Sequence, residues 1–382
     1  MKRNVIETPF TFGRIASDNN FANRESEILK LVTNFISGIN TVLISPRRWG
    51  KSSLVKKSAE NVSKKNKDIR FVFIDLYNIR NEEEFYKIFS REVLRSSTKK
   101  TDELLANAKK FMGKLIPQLT FSTDPNSEIN ISFDWETVKK EPDDILDLPE
   151  NISKQKNIKF IICIDEFQNI SAFDDALSIQ KKLRSHWQKH KLTSYCLYGS
   201  KRHMLMDVFT SPSMPFYKFG DIIFLQKIEK KHLEKFIIKR FKDTKKNISK
   251  SAADLVVDIA ECHPYYVQQL AQLSWLRTKK SCNEEIVKIA HESLILQLDF
   301  LFQSISDDLS STQLNFLKAV IIGIEQLSSK QTLDEFNLGT SANVLRIKKS
   351  LENKEIIDLF GNTITILDPM YKYWLKNYYF KI

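Results

Sequence analysis

A chain of 382 residues that is 42% hydrophobic and 28% charged has the composition of a globular protein, which excludes wholesale disorder. Single cores rarely grow past ~250–300 residues, so two or three domains are expected. The net charge of +12 invites a nucleic-acid partner, but its distribution matters more than its sum.

Residues 227–250 hold ten Lys/Arg against three Asp/Glu, more than half of the excess, and such a segment also serves as a solvated helix face. Residues 301–382 hold nine of each sign and are neutral. No apolar run approaches the ~20 residues of a membrane span, and the N-terminal stretch lacks a signal-peptide core. The expectation is a cytoplasmic protein with no membrane partner. Cys163, Cys196, Cys262 and Cys282 form no C-x-x-C pair and read as reduced thiols, not as zinc ligands or disulfides.

Residues 1–22 are loop-like, with Pro9 and Gly13. A helix is predicted from Asn23, with Ile28, Leu31, Val32 and Phe35 at the 3.6 period, and Gly38 ends it. Thr41-Val42-Leu43-Ile44 then predicts a buried strand that closes at Ser45. A polar turn, Pro46-Arg47-Arg48-Trp49, follows, and Gly50-Lys51-Ser52-Ser53 opens a helix running to about Lys65. Strand, loop and helix start together make an anion nest of backbone N–H groups. Against G-x-x-x-x-G-K-[ST], only the first glycine is missing, with Ser45 in its place. Lys51 would reach the β- and γ-phosphates, and the Ser52 hydroxyl would be a ligand of Mg²⁺. The alternative is a chance Gly-Lys-Ser after a strand.

A second strand spans Arg70 to Leu76, and a helix Glu82 to Ser96. Within 97–142, short β-like pieces from Leu119 to Trp135, around Asp124-Pro125-Asn126, suggest an inserted hairpin of unreadable function. Lys159-Phe160-Ile161-Ile162-Cys163-Ile164-Asp165-Glu166 is a continuous apolar run ending in two acids. Such a run fits a parallel strand buried on both faces, and ligands sit at the carboxyl ends of such strands. Asp165 would hold Mg²⁺, through a water, and Glu166 would polarise the attacking water. Solvent-side punctuation of a strand is the other reading of such a pair; coexistence with Gly50-Lys51-Ser52 argues against it.

A helix with Leu183, Arg184 and Trp187 precedes the strand Ser194 to Ser200, which is expected between the other two in the sheet. There the Ser200 hydroxyl could sense a γ-phosphate; in isolation Gly199-Ser200 would be an ordinary turn. Pro215 to Gly220 leads into a last strand, Ile222 to Leu225. From Lys230 onward the chain reads as helical, interrupted by Cys262-His263-Pro264-Tyr265-Tyr266. His263 is either near nucleotide or a packed or surface imidazole. Residues 310–382 give helix, short helix, turn at Asn337–Thr340, helix from Ser341, and an antiparallel hairpin around Gly361-Asn362. That succession is a winged-helix arrangement whose third helix carries Arg346, Lys348 and Lys349. With no basic excess there, DNA contact and a protein-docking or packing role both stay open.

These residues resemble the prokaryotic AAA+/STAND-like P-loop ATPases, the "archaeal ATPase" group and its bacterial relatives. The resemblance is carried by Phe21-Ala22-Asn23-Arg24-Glu25, Ser45 to Ser53, and Ile164-Asp165-Glu166-Phe167-Gln168. Weaker support comes from Tyr198-Gly199-Ser200, Pro215-Phe216-Tyr217, His263-Pro264-Tyr265-Tyr266 and Asp368 to Leu375. It implies an α/β P-loop NTPase fold with a mostly parallel sheet (1–227), a helical lid (228–305) and a C-terminal winged helix (306–382). It also implies ATP on the loop Ser45, Pro46, Arg47, Arg48, Trp49, Gly50, Lys51, Ser52 and Ser53, Mg²⁺ on Ser52 and Asp165, a catalytic Glu166 and a sensor at Ser200. His263 and Pro264 match the lid motif on the adenine side, and Phe21 and Arg24 the segment that covers the base. Relatives often have Arg where this chain has Lys218, and lysine cannot fork onto a phosphate as arginine does. The reading is an ATPase acting as a nucleotide-operated switch, with ATP between sheet and lid. The alternatives are a DNA-binding regulator with nucleotide as structural ligand, or a scaffold docking a protein partner through 306–382. The oligomeric state is not legible.

Overall fold

The computed structural model describes residues 8–16, 20–98, 101–112, 118–120, 130–132, 135, 138, 142–361 and 363–382. The chain divides into two compact units, one of residues 24–47 and 51–226, the other of residues 1–23, 48–50 and 227–382.

In the first unit, α1 (Glu25–Ser37) precedes β1 (Thr41–Ile44), α2 (Lys51–Lys65), β2 (Ile69–Asp75), α3 (Glu82–Ser97) and α4 (Thr101–Met112). Then come β3 (Gln118–Thr120), β4 (Asn130–Ser132), α5 (Asp143–Leu146), α6 (Leu148–Lys156) and β5 (Lys159–Asp165). A 3₁₀ turn over Phe167–Ala172, α7 (Ala176–Trp187), β6 (Thr193–Gly199), α8 (Arg202–Thr210) and β7 (Asp221–Phe224) complete it. Five strands form one sheet in the order β2-β5-β6-β1-β7, and every pairing is parallel. All seven residues of β6 are buried and β5 is buried from Phe160 to Ile164, as runs covered on both faces must be.

Register aligns the strand ends: Ile44 lies opposite Gly199, and Asp75 opposite Asp165. The carboxyl ends of β1, β5 and β6 therefore open onto one edge of the sheet, with β6 between the other two as expected. Behind them the core is aromatic. Trp187 stacks on Tyr195 at 4.0 Å between ring centres, and Phe167 packs edge-on to Phe216 at 5.3 Å. The hairpin expected within 97–142 is present as the antiparallel pair β3–β4, but Asp124-Pro125-Asn126 lies outside the described residues.

The second unit is mainly helical: α9 (Lys230–Asp243), α10 (Lys250–Ile259), α11 (Pro264–Arg277), α12 (Glu284–Asp307), α13 (Ser311–Ile321), α14 (Lys330–Glu335), α15 (Ser341–Asn353) and α16 (Pro369–Trp374). One difference from the sequence reading is a two-residue parallel ladder, β8 (Asn247–Ile248) with β9 (Ser281–Cys282). Runs that short leave no period-2 signature to read. The antiparallel hairpin β10 (Ile357–Phe360) with β11 (Thr363–Ile366) forms where expected, while Asn362 lies outside the described residues. Asp368 caps α16 by accepting the N–H groups of Met370 and Tyr371, and it also accepts the Tyr266 hydroxyl.

Part of the basic segment 227–250 is paired within this unit. Lys230 pairs with Asp254 and Asp258 at 2.6 and 2.7 Å, and Lys231 with Glu229 at 2.6 Å. Arg240 is buried against the Pro9 carbonyl and Asp243. These three cations have local partners, while Lys235, Lys239, Lys242 and Lys245 are exposed. All four cysteines are free thiols, and Cys163 and Cys196 face each other in register on β5 and β6.

Candidate active site

The loop after β1 continues the ladder by one step, the Ser45 N–H donating to the Gly199 carbonyl at 3.5 Å. Ser45 and Pro46 are buried, whereas Arg47 and Arg48 are exposed. Arg48 and Gly50 take left-handed backbone, with φ of 61° and 89°. At Gly50 nothing lies within 4 Å of an added Cβ, so the demand for glycine comes from φ and not from crowding. The turn delivers the chain into α2, whose first turn carries no acid. An anion approaching the helix start therefore meets N–H groups and the positive end of the dipole with no acid on the helix's own first turn.

Two contacts close the site. The Ser52 hydroxyl donates to Asp165 Oδ2 at 2.6 Å, and Lys51 Nζ lies 3.2 Å from Glu166 Oε1. Lys51 is only 7% exposed, so it enters the site along a buried path. Ser200, at the end of β6, donates to Glu166 Oε2 through its hydroxyl at 3.0 Å and its N–H at 3.3 Å. The Ser200 hydroxyl, expected to sense a γ-phosphate, thus reaches Glu166.

The neighbouring acids are pushed in opposite directions. Burial raises the Asp165 carboxyl above its ordinary range, with the Glu166 charge adding to it, against the Lys51 charge and the Ser52 hydroxyl. Burial also acts upward on Glu166, but the Lys51 charge and the bonds from Gln168 and Ser200 together hold it below the ordinary range. Such a split between adjacent titratable groups characterises acid–base sites.

The donor set also bears on a metal. Among the described residues no group of three or more His, Cys, Asp or Glu is placed to hold an ion by itself. One hydroxyl and one carboxylate, both hard oxygens, suit Mg²⁺, which keeps waters and phosphate oxygens as its remaining ligands. Ser52 and Asp165 fit that role.

Of the other expected residues, Ser53 is buried in α2. Arg24 is buried at the start of α1 with φ 107°, and its guanidinium donates to Glu27 at 2.8 Å and to the Gln226 carbonyl. Lys218 also has positive φ, 52°, and its ammonium lies over the Tyr217 ring at 5.2 Å. Phe21, Arg48, Trp49, His263 and Pro264 group with the second unit. There the Arg48 guanidinium lies 4.6 Å from the Tyr265 ring centre. Pro264 is the first residue of α11, and His263 before it is 6% exposed, its Nδ1 without a partner among the described residues. Burial, helped by the Arg48 and Lys227 charges, pulls that imidazole down to about 3, so it is neutral at pH 7.

Sequence reasoning missed Gln168 and Gly199. Gln168 is 1% exposed and bonds Glu166 Oε2. Its place two residues after the acid was visible; its direction was not, because it depends on the 3₁₀ turn.

A family model described as an ATPase domain predominantly from Archaea matches residues 21–270. No curated protein matches the chain. Among solved structures, the Walker-type ATPase PABY2304 of Pyrococcus abyssi is similar, with a TM-score of 0.65 at 18% identity over 93% of this chain and 96% of that one. The Aeropyrum pernix ORC2 protein, solved in ADPNP–ADP complexes, has a TM-score of 0.51 at 16% identity over 91% and 90%. At these identities the likeness is one of fold. No helix among the described residues is long and apolar enough to cross a membrane.

Proposed function

We propose, on the premise that the chain belongs to the family of ATPase domains found predominantly in Archaea, that it binds ATP with Mg²⁺ and hydrolyses it slowly as a nucleotide-operated switch. The observation that carries this reading is the meeting of α2 and β5, Ser52 with Asp165 at 2.6 Å and Lys51 with Glu166 at 3.2 Å. In this reading the loop N–H groups and Lys51 bind the phosphates. Ser52 and Asp165 would hold Mg²⁺, which supplies charge neutralisation across the β- and γ-phosphates. Glu166, kept ionised by its donors, takes a proton from the attacking water. Lys51 and Ser200 leave Glu166 for the γ-phosphate when nucleotide is bound and return when it is gone, which makes the cluster bistable. We assign residues 1–227 to the ATPase domain, 228–305 to a helical lid and 306–382 to a winged helix. ATP is preferred in this account because the chain has no Asn-Lys-x-Asp guanine-reading motif.

A second reading, duplex DNA contact through 306–382, is supported by the exposure of Arg346 and Lys349 on α15. One assay separates the two. ATP turnover of the purified protein, with and without duplex DNA, should be present in both arms. Duplex binding that weakens with salt and is lost on replacing Arg346, Lys348 and Lys349 by Ala supports the second reading; binding that ignores those changes removes it. A protein that turns over no ATP in either arm contradicts the first.

A further inference from the structure

Glu166 itself has left-handed backbone, with φ 51°. The 3₁₀ turn that follows carries Gln168 back beneath it, so that its amide lies between Glu166 and the end of β6. Gln168 Nε2 donates to Glu166 Oε2, while Oε1 is buried with no partner among the described residues. That oxygen fills the space of an absent side chain: a Cβ built on Gly199 would meet it at 1.9 Å. A buried carbonyl without a donor is unfavourable, and a hydrocarbon of the same shape would not strand one. The stranded oxygen marks the N–H as the group in use.

Glu166 receives four donors: Lys51 Nζ on Oε1, and the Ser200 hydroxyl, the Ser200 N–H and Gln168 Nε2 on Oε2. Asp165 is a further charged group against it. In the ATPase reading Lys51 and the Ser200 hydroxyl are drawn to phosphate, whereas Gln168, 1% exposed in the 3₁₀ turn, is not. We propose that Gln168 is a positioning residue, which holds Oε2 of Glu166 when Lys51 and Ser200 turn to the nucleotide and so leaves Oε1 free for the attacking water. The water oxygen bonds to the γ-phosphorus as its proton passes to Oε1. The bond from that phosphorus to the bridging oxygen breaks, and ADP leaves with the electron pair. Gly199 belongs to the same device, because any side chain there displaces the amide.

This inference rests on the ATPase reading, and the experiment keeps the two apart. Gln168→Met keeps the shape and removes the donor. Gly199→Ala keeps the donor and pushes it aside. For each, kcat, KM, the Kd for a fluorescent (mant) ATP and the thermal midpoint are measured beside the parent. A misplaced base costs on the order of 10–100-fold in rate, so kcat should fall by that much in both variants, with KM and Kd within about twofold of the parent. In a Glu166→Gln background, Gln168→Met should add no further loss, because both changes act through one group. Parental kcat in a folded Gln168→Met protein overturns the assignment. So does a loss shared by kcat and Kd with a lowered midpoint, which marks a packing residue, or a full multiplicative loss in the double variant. If Gln168→Met does not fold, Gly199→Ala decides by the same criteria, and two unfolded variants likewise mark packing. A parent that hydrolyses no ATP sinks the functional reading itself, a different result from an active parent with indifferent variants.

Discussion

The two ends of β6 hold two polar clusters that differ in the donors their acids receive. At the carboxyl end, three of the four donors to Glu166 are side chains, a lysine, a hydroxyl and an amide, beside the Ser200 N–H. At the amino end, Asp147 Oδ1 accepts from His186 Nδ1 at 2.8 Å and His190 Nε2 at 3.0 Å, and His190 Nδ1 pairs with the Tyr195 hydroxyl at 2.9 Å. Beside them Glu150 accepts the N–H groups of Lys191 and Leu192, and Asn40 accepts that of Tyr195. There the acids are tied to main chain and to rings wedged by packing, as Tyr195 is under Trp187. The acids at the amino end are held by main chain and packed rings, whereas at the carboxyl end Lys51 and the Ser200 hydroxyl are partners that a phosphate could take away. Polarity alone would not have told them apart; the kind of donor, extended side chain against main chain and packed ring, does.

The sharpest way to break this contrast is Lys51→Ala. A lost charge-assisted contact is worth roughly 1.5–3 kcal/mol, so mant-ATP binding should weaken by on the order of 100-fold with the thermal midpoint little changed. Equal loss on His190→Phe, at the other end, would erase the distinction. Next, Asp147→Asn should cost about 1–2 kcal/mol in urea unfolding, since it weakens two bonds to imidazoles, and should leave ATP turnover at the parent rate. Reduced turnover in a folded Asp147→Asn protein would mean the amino end also serves chemistry. Ser200→Ala removes one neutral donor, worth ~0.5–1.5 kcal/mol, and should lower kcat by several-fold and weaken mant-ATP binding by no more than that.

The smallest effect concerns pH. The hydrogen bond to Asp147 raises His186 above the ordinary imidazole value despite burial, so its contribution is complete below ~6.5 and fades as pH rises through the folded value. Burial acts upward on Asp147, but the two histidines hold it well below the carboxylate range, so its contribution is present above ~3.9 and fades in acid. Stability lost on His186→Gln should therefore be largest near pH 5–6 and shrink by pH 9. Asp147 is 39% exposed, and solvent screening keeps the difference to roughly 0.5–1 kcal/mol. A difference that grows with pH in urea titrations would reverse this account of the cluster.

Much of the carboxyl-end cluster could be read from the chain. Thr41–Ile44 and Lys159–Asp165 are apolar runs with abrupt polar ends, and Gly50-Lys51-Ser52 and Asp165-Glu166 sit at those ends, so local pattern and chemistry coincide. The place of β6 between β1 and β5 followed from the same logic. Gln168 was in plain view but mute, because a left-handed Glu166 and a 3₁₀ turn have no sequence period. The amino-end cluster was mute for another reason: Asp147 meets His186 and His190 across 39 and 43 residues, a distance that only the folded sheet closes. The β8–β9 ladder is too short to carry a pattern at all.

The central claim is that the carboxyl end of the sheet holds ATP and cleaves it through Glu166. Its most direct test is the identity of the nucleotide that stays with the protein. Parent and Glu166→Gln protein are loaded with Mg²⁺ and labelled ATP, freed of unbound nucleotide, and their bound label is followed over time. The account predicts that the parent's label turns to ADP while the variant's stays ATP, with a rate difference on the order of 10²–10⁴. Label that turns to ADP equally fast in both, or that neither protein retains, would contradict it.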